Sequence, residues 1–167
     1  MKKYLSIALA AAGVATALSA MTTPATAAGS LSTIQNRATG KCLVTVWDAA
    51  TGAHTVTQGT CSTFNAAALW EATAINGPVQ RLRNVALNKC LDTGSGNPPI
   101  YLSSCSSQDQ GQQWAVGNPA DPDWDVIESQ YHSWSLVGWL DGTVGLVQDH
   151  YPLLKTDKAE WNHSLFS

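Results

Sequence analysis

Apolar and polar positions along this chain fall into short runs rather than long helical stripes. Segments such as Ser32-Thr33-Ile34-Gln35 and Val56-Thr57-Gln58-Gly59 alternate or carry β-forming residues. Turn formers separate them, for example Thr39-Gly40 and Asn97-Pro98-Pro99. Strands a few residues long joined by tight turns are the expected elements. Beyond the first 27 residues, no stretch sustains a 3.6-residue apolar period with caps, so the class is all-β.

The runs repeat. Cys61 lies nine positions before Trp70, and Cys105 nine before Trp114. Ile34, Asn36, Cys42 and Leu43 match Ile127, Ser129, Ser135 and Leu136 as well as Leu82, Asn84, Cys90 and Leu91. In the third register Pro152 stands nine before Trp161, and an apolar residue recurs at Val56, Ile100 and Val147. The tryptophans are spaced by 44 and then 47 residues. Such spacing predicts three repeats, about 31–76, 79–118 and 124–167. One repeat cannot bury its own apolar face, but three around a shared axis can. Trp70, Trp114 and Trp161 are therefore expected in the core. Each would contribute roughly 4–6 kcal/mol as an upper estimate, from ~150–250 Å² at about 25 cal/mol/Å². Trp47, Trp134 and Trp139 lie outside this slot, and at least one is expected to be exposed.

The N-terminus reads differently. Lys2 and Lys3 precede an apolar, alanine-rich stretch from Ile7 to Leu18, and Ala25-Thr26-Ala27 supplies a small-x-small cleavage site. Residues 1–27 are read as a secretory signal peptide and 28–167 as one domain, released extracellularly without a membrane anchor. Of 9 basic residues, Lys2 and Lys3 leave with the signal, so 7 stand against 12 acids, a net charge of −5. Such a chain has no electrostatic reason to seek nucleic acid or an anionic membrane. Four cysteines follow the signal and permit three pairings. The matched register favours bridges inside repeats, Cys42–Cys61 and Cys90–Cys105, each worth about 3 kcal/mol in the chain-entropy model.

Cys90-Leu91-Asp92, then Ile100 to Cys105, then Gln112-Gln113-Trp114 resembles a ricin-B (R-type) lectin repeat. The closing Gln-x-Trp is complete only there, since the other repeats end Ala68-Leu69-Trp70 and Ala159-Glu160-Trp161. The resemblance spans about residues 31–165. It implies a β-trefoil of twelve strands with pseudo-threefold symmetry, no catalytic group, and one potential sugar pocket per repeat. Four slots make such a pocket: an Asp two after the first cysteine, an aromatic two before the second, an Asn before the Gln-x-Trp, and that Gln. Stacking covers the C–H face of a sugar while charged acceptors take its hydroxyls.

The first repeat offers Val44, Gly59, Ala67 and Ala68 in these slots and fails all four. The second keeps Asp92 and Gln112 but has Ser103 and Gly111 in the others. Tyr101 would share the strand face of Ser103 and substitute for it, and Asp109 would add a polar contact. The third has Val137 and Lys158, with His150 at the stacking slot and Gln148 near it. Asp92, Tyr101, Asp109 and Gln112 are thus the candidate carbohydrate-binding residues, with Asp92 expected ionised and open to solvent.

Other chemistry is weaker. The histidines have no metal-ligand spacing, and a calcium loop at Asp121, Asp123 and Asp125 would have Val126 where glycine is needed. No metal or cofactor is expected. Asn162-His163-Ser164 fits a glycosylation sequon. The expected function is a secreted, monomeric, non-enzymatic lectin that binds a glycan, galactose-type sugars first. The alternative is a trefoil that has lost sugar binding and engages a secreted protein, as a hydrolase inhibitor or toxin accessory would.

Overall fold

A computed structural model describes residues 31–94, 100–117, 123–148 and 157–162. Residues 1–27, read above as a signal peptide, together with His150, Pro152, Asn97-Pro98-Pro99, Pro119, Asp121, Pro122 and the end of the sequon, lie outside these residues. Among the described residues are twelve strands, four per repeat. The first repeat holds β1 (Leu31–Ser32), β2 (Cys42–Asp48), β3 (Ala53–Gly59) and β4 (Trp70–Asn76). The second holds β5 (Val79–Asn84), β6 (Lys89–Thr93), β7 (Ile100–Ser103) and β8 (Trp114–Gly117). The third holds β9 (Trp124–Ser129), β10 (Trp134–Gly138), β11 (Val144–Gln148) and β12 (Glu160–Asn162).

Antiparallel pairing joins the outer strands of the repeats in the order β1, β4, β5, β8, β9, β12. A bridge between Asn36 and Trp161 returns the ring to its start. Three hairpins, β2–β3, β6–β7 and β10–β11, cover one end. This is the β-trefoil, and its threefold equivalence extends to single pairs. Trp70 opposes Asn84, Trp114 opposes Ser129 and Trp161 opposes Asn36.

The core follows the repeated positions. Trp70, Trp114 and Trp161 are fully buried with Ile34, Leu82 and Ile127 and with Leu43, Leu91 and Leu136. Each indole N–H donates inside its own repeat: Trp70 to the Leu43 carbonyl at 2.9 Å, Trp114 to Leu91 and Trp161 to Leu136, both at 3.0 Å. A buried ring whose only polar atom is satisfied is stabilising in both respects. Buried Asn36 and Asn84 act between repeats. Asn36 donates to the carbonyls of Lys158 and Glu160, and Asn84 to the corresponding Ala67 and Leu69. The disulfides are Cys42–Cys61 and Cys90–Cys105, both within repeats.

One expected correspondence shifts. Cys42 pairs with Gly59 and Cys90 with Ser103, whereas Ser135 pairs with Val147. The residue opposite Thr45 and Thr93 is Val56 or Ile100, and its counterpart opposite Gly138 is Val144, not Val147. Val144 packs against the core, which confirms the strand register. The three extra residues of the third repeat therefore fall after β11, where no disulfide fixes the spacing. The stacking slot of that repeat is Val147 rather than His150.

Two outcomes test this architecture. Replacing Trp114 with Phe strands the buried Leu91 carbonyl, so urea unfolding should show a loss of about 1–3 kcal/mol. The third repeat, with buried Ser135 at the cysteine slot, should exchange its amides faster than the clamped repeats. Uniform protection across the three would contradict the second expectation.

Candidate functional site

Asp92 and Tyr101 are opposed across the β6–β7 hairpin, so the alternation of side chains puts them on one face. Asp92 is only 1 % exposed, which corrects the expectation of a solvent-open carboxylate. Its Oδ2 accepts a hydrogen bond from the Ser103 hydroxyl, with Gln112 Nε2 at 3.4 Å. Ser103, at the slot where an aromatic was sought, is thus a partner of the carboxylate. Two further features cover Asp92. Tyr101, 37 % exposed, stands opposite it, and Gly111 closes in from the turn before Trp114. A Cβ on Gly111 would overlap Asp92 Oδ1 and the Thr93 carbonyl oxygen, so this slot has no room for an Asn side chain.

Gln112 is fully buried and spends its amide on the protein. Nε2 donates to Ser103 Oγ at 2.6 Å and the Ser104 carbonyl at 2.9 Å, while Oε1 accepts from Ser106 N–H at 2.8 Å. Asp109 caps the short 3-10 turn Gln110–Gln112, its Oδ1 accepting from Gly111 N–H at 3.0 Å. Asx capping of this kind also occurs at Asn65 in the first repeat, where Oδ1 accepts from Ala67 N–H at 3.1 Å. The structure brings all four candidates into one neighbourhood. Asp92, Gln112 and Asp109 join one hydrogen-bonded group, and Tyr101 presents an accessible ring. Burial, followed by the charges of Asp92 and then Asp109 and by a hydrogen bond to the Asp92 carboxylate, holds the Tyr101 hydroxyl above its ordinary range. It stays protonated, a donor, at any physiological pH.

Two buried polar atoms stand without a partner among the described residues: Asp92 Oδ1 and Thr93 Oγ1. A buried acceptor left unsatisfied costs about 1–3 kcal/mol. No sequence rule singled out Thr93, Ser103 or the close packing of Gly111, because each depends on what the hairpin meets across the repeat.

The other two pockets are filled. In the first, buried Val44 takes the Asp slot, and a Cβ on Gly59 would meet its Cγ2 at 2.9 Å. In the third, Val137 is buried, and the ring of Trp139 lies where a Cβ on Gly145 would approach it at 2.8 Å. Apolar side chains occupy the acceptor's position in both. Elsewhere, one shallow cleft of about 290 Å³ is lined by Pro78, Ala115 to Gly117, Val126 and Glu128. Another of about 320 Å³ lies by Thr33 and Cys61 to Phe64. Both lack the buried carboxylate, so shape alone does not mark them as sites. Trp47 is the exposed tryptophan expected outside the repeat slot, at 60 %, edge-on to His54. Among the described residues, no group of three His, Cys, Asp or Glu side chains could hold a metal ion.

The model of the ricin-type beta-trefoil lectin domain matches residues 30–121, more than half of the chain. No curated protein sequence matches significantly. Among solved structures, a designed threefold-symmetric protein, ThreeFoil, superposes with a TM-score of 0.64 at 18% identity, over 79% of this chain and 96% of that one. A salivary protein from Culex quiquefasciatus of the Cysteine and Tryptophan-Rich family gives 0.65 at 22%, over 85% and 96%. A Polyporus squamosus lectin bound to the epitope Neu5Aca2-6Galb1-4GlcNAc gives 0.66 at 14%, over 81% of this chain and 48% of that one. At these identities the likeness is one of fold.

Replacing Gly111 with Ala should destabilise the domain by about 1–3 kcal/mol, because backbone and a buried carboxylate must both give way. Chemical denaturation checks this.

Proposed function

Because the chain belongs to the ricin-type β-trefoil lectin domain family, we propose that it is a secreted, non-catalytic carbohydrate-binding protein that works through its second repeat. The observation carrying this reading is the unpartnered Asp92 Oδ1, a buried acceptor beside the accessible ring of Tyr101. A sugar hydroxyl is the donor it lacks. The accessible ring of Tyr101 covers the C–H face of a pyranose held there. Asp109 adds an acceptor at the rim. Gln112 is a positioning residue, since its amide already holds Ser103 and the loop after Cys105. Two intra-repeat disulfides suit export into an oxidising compartment.

Galactose-type sugars are the first ligands to titrate. Replacing Asp92 with Asn keeps the shape and removes the charge, and affinity should fall more than tenfold, the equivalent of about 1.5–3 kcal/mol for a charge-assisted hydrogen bond. Circular dichroism should show the fold intact. Equal affinity in wild type and variant, or no binding by wild type at millimolar sugar, would overturn the proposal.

A further inference from the structure

Each repeat has a four-residue turn leading into its hairpin: 37–40, 85–88 and 130–133. All three reach back onto the preceding pocket in the ring. Arg37 N–H donates to Glu160 O at 2.9 Å, Val85 to Leu69 O at 3.0 Å and Gln130 to Gln113 O at 2.9 Å. The last residue of each turn is left-handed, with φ of 64° at Gly40, 52° at Asn88 and 55° at Ser133. The backbone is therefore the same three times. The side chains differ. The two central residues are Ala38-Thr39 and Ala86-Leu87 beside the filled pockets, but Tyr131-His132 beside the pocket that keeps Asp92. The turn itself has no need of aromatic residues, as its other two copies show.

These rings are held toward the site. His132 Nε2 donates to the Gly94 carbonyl at 2.6 Å, and its ring lies edge-on to Tyr131 at 4.6 Å and tilted to Trp134 at 5.3 Å. Gly94 is also the residue under Tyr101, since a Cβ there would lie 3.4 Å from the tyrosine hydroxyl. Gly94 thus joins two aromatic surfaces, Tyr101 from its own hairpin and the Tyr131–His132–Trp134 group from the next repeat. Tyr131 is 44 % exposed, so its ring can take a ligand.

The geometry points to a second sugar subsite built by the third repeat, so that the pocket accepts a disaccharide or longer glycan rather than a single hexose. One unit sits at Asp92 and Tyr101, and the next lies against Tyr131, whose ring packs on His132, which in turn meets Trp134. His132 is the positioning residue that ties the turn to Gly94. This inference rests on the carbohydrate-binding reading above and adds to it the length of the ligand.

Calorimetric titration of galactose and lactose, on wild type, Tyr131→Ala and Tyr131→Phe, tests it. Wild type should bind the disaccharide about 3- to 10-fold more tightly, the range of one aromatic stacking contact. That ratio should collapse toward one in Tyr131→Ala and be retained in Tyr131→Phe, which keeps the ring. A wild-type ratio near one, or a ratio unchanged in Tyr131→Ala, would overturn the second subsite and leave the Asp92 pocket standing. Failure of wild type to bind either sugar would overturn both.

Discussion

The tryptophan closing each repeat ties two levels of structure together. Its indole N–H reaches the carbonyl of a leucine in its own repeat, fixing the hairpin over the core. Its backbone pairs with the first strand of the next repeat, opposite Asn84, Ser129 or Asn36. A barrel built from three repeats must satisfy both relations three times, because no repeat can bury its apolar face alone. Around that ring the rest varies freely. A disulfide clamps two repeats and is absent from the third, and an asparagine spans two of the seams where the other has serine.

The pockets diverge within this constraint. Val44 and Val137 place buried apolar side chains at two of the three Asp slots, and a glycine in each hairpin makes room for the packing there. Gly59 leaves space for Val44, and Gly145 leaves space for Trp139. The second repeat reverses the chemistry by using glycine to enclose a charge. Gly111 lies flush against Asp92, and Ser103 and Gln112 satisfy one carboxylate oxygen while the other is left without a donor. Burying a polar group without complete hydrogen bonding is unfavourable, and one such group persists here beside an accessible tyrosine. Among the described residues, that cost falls at one of three equivalent places, the one on which the carbohydrate-binding proposal rests.

Symmetry also explains how a neighbour comes to serve that site. Since every turn reaches back onto the pocket before it, a substitution in one repeat alters the surroundings of another. Tyr131 and His132 are separated from Asp92 by about 40 positions in sequence, yet His132 shares Gly94 with Tyr101 through a hydrogen bond and a close approach, and Tyr131 packs edge-on to His132. Few of these contacts would survive a one-residue slip of β9 or β10, because alternation would turn the side chains to the opposite face.

Spacing along the chain was sufficient for the features that repeat. The nine-residue interval between cysteine and tryptophan, and the matching of Ile34, Leu82 and Ile127, carried the threefold architecture, the core and the disulfide partners. Local alternation was enough to place Tyr101 on the face of Asp92. These are properties of strands and short loops, where side-chain direction follows position in sequence. The burial of Asp92, the tight approach of Gly111 and the role of Ser103 depend on the turn before Trp114 folding onto the hairpin. The shift from Val147 to Val144 depends on where three extra residues are absorbed, and with no cysteine in the third repeat nothing in the spacing fixes that point. The contact of His132 with Gly94 required the ring itself, because only its closure decides which turn faces which pocket.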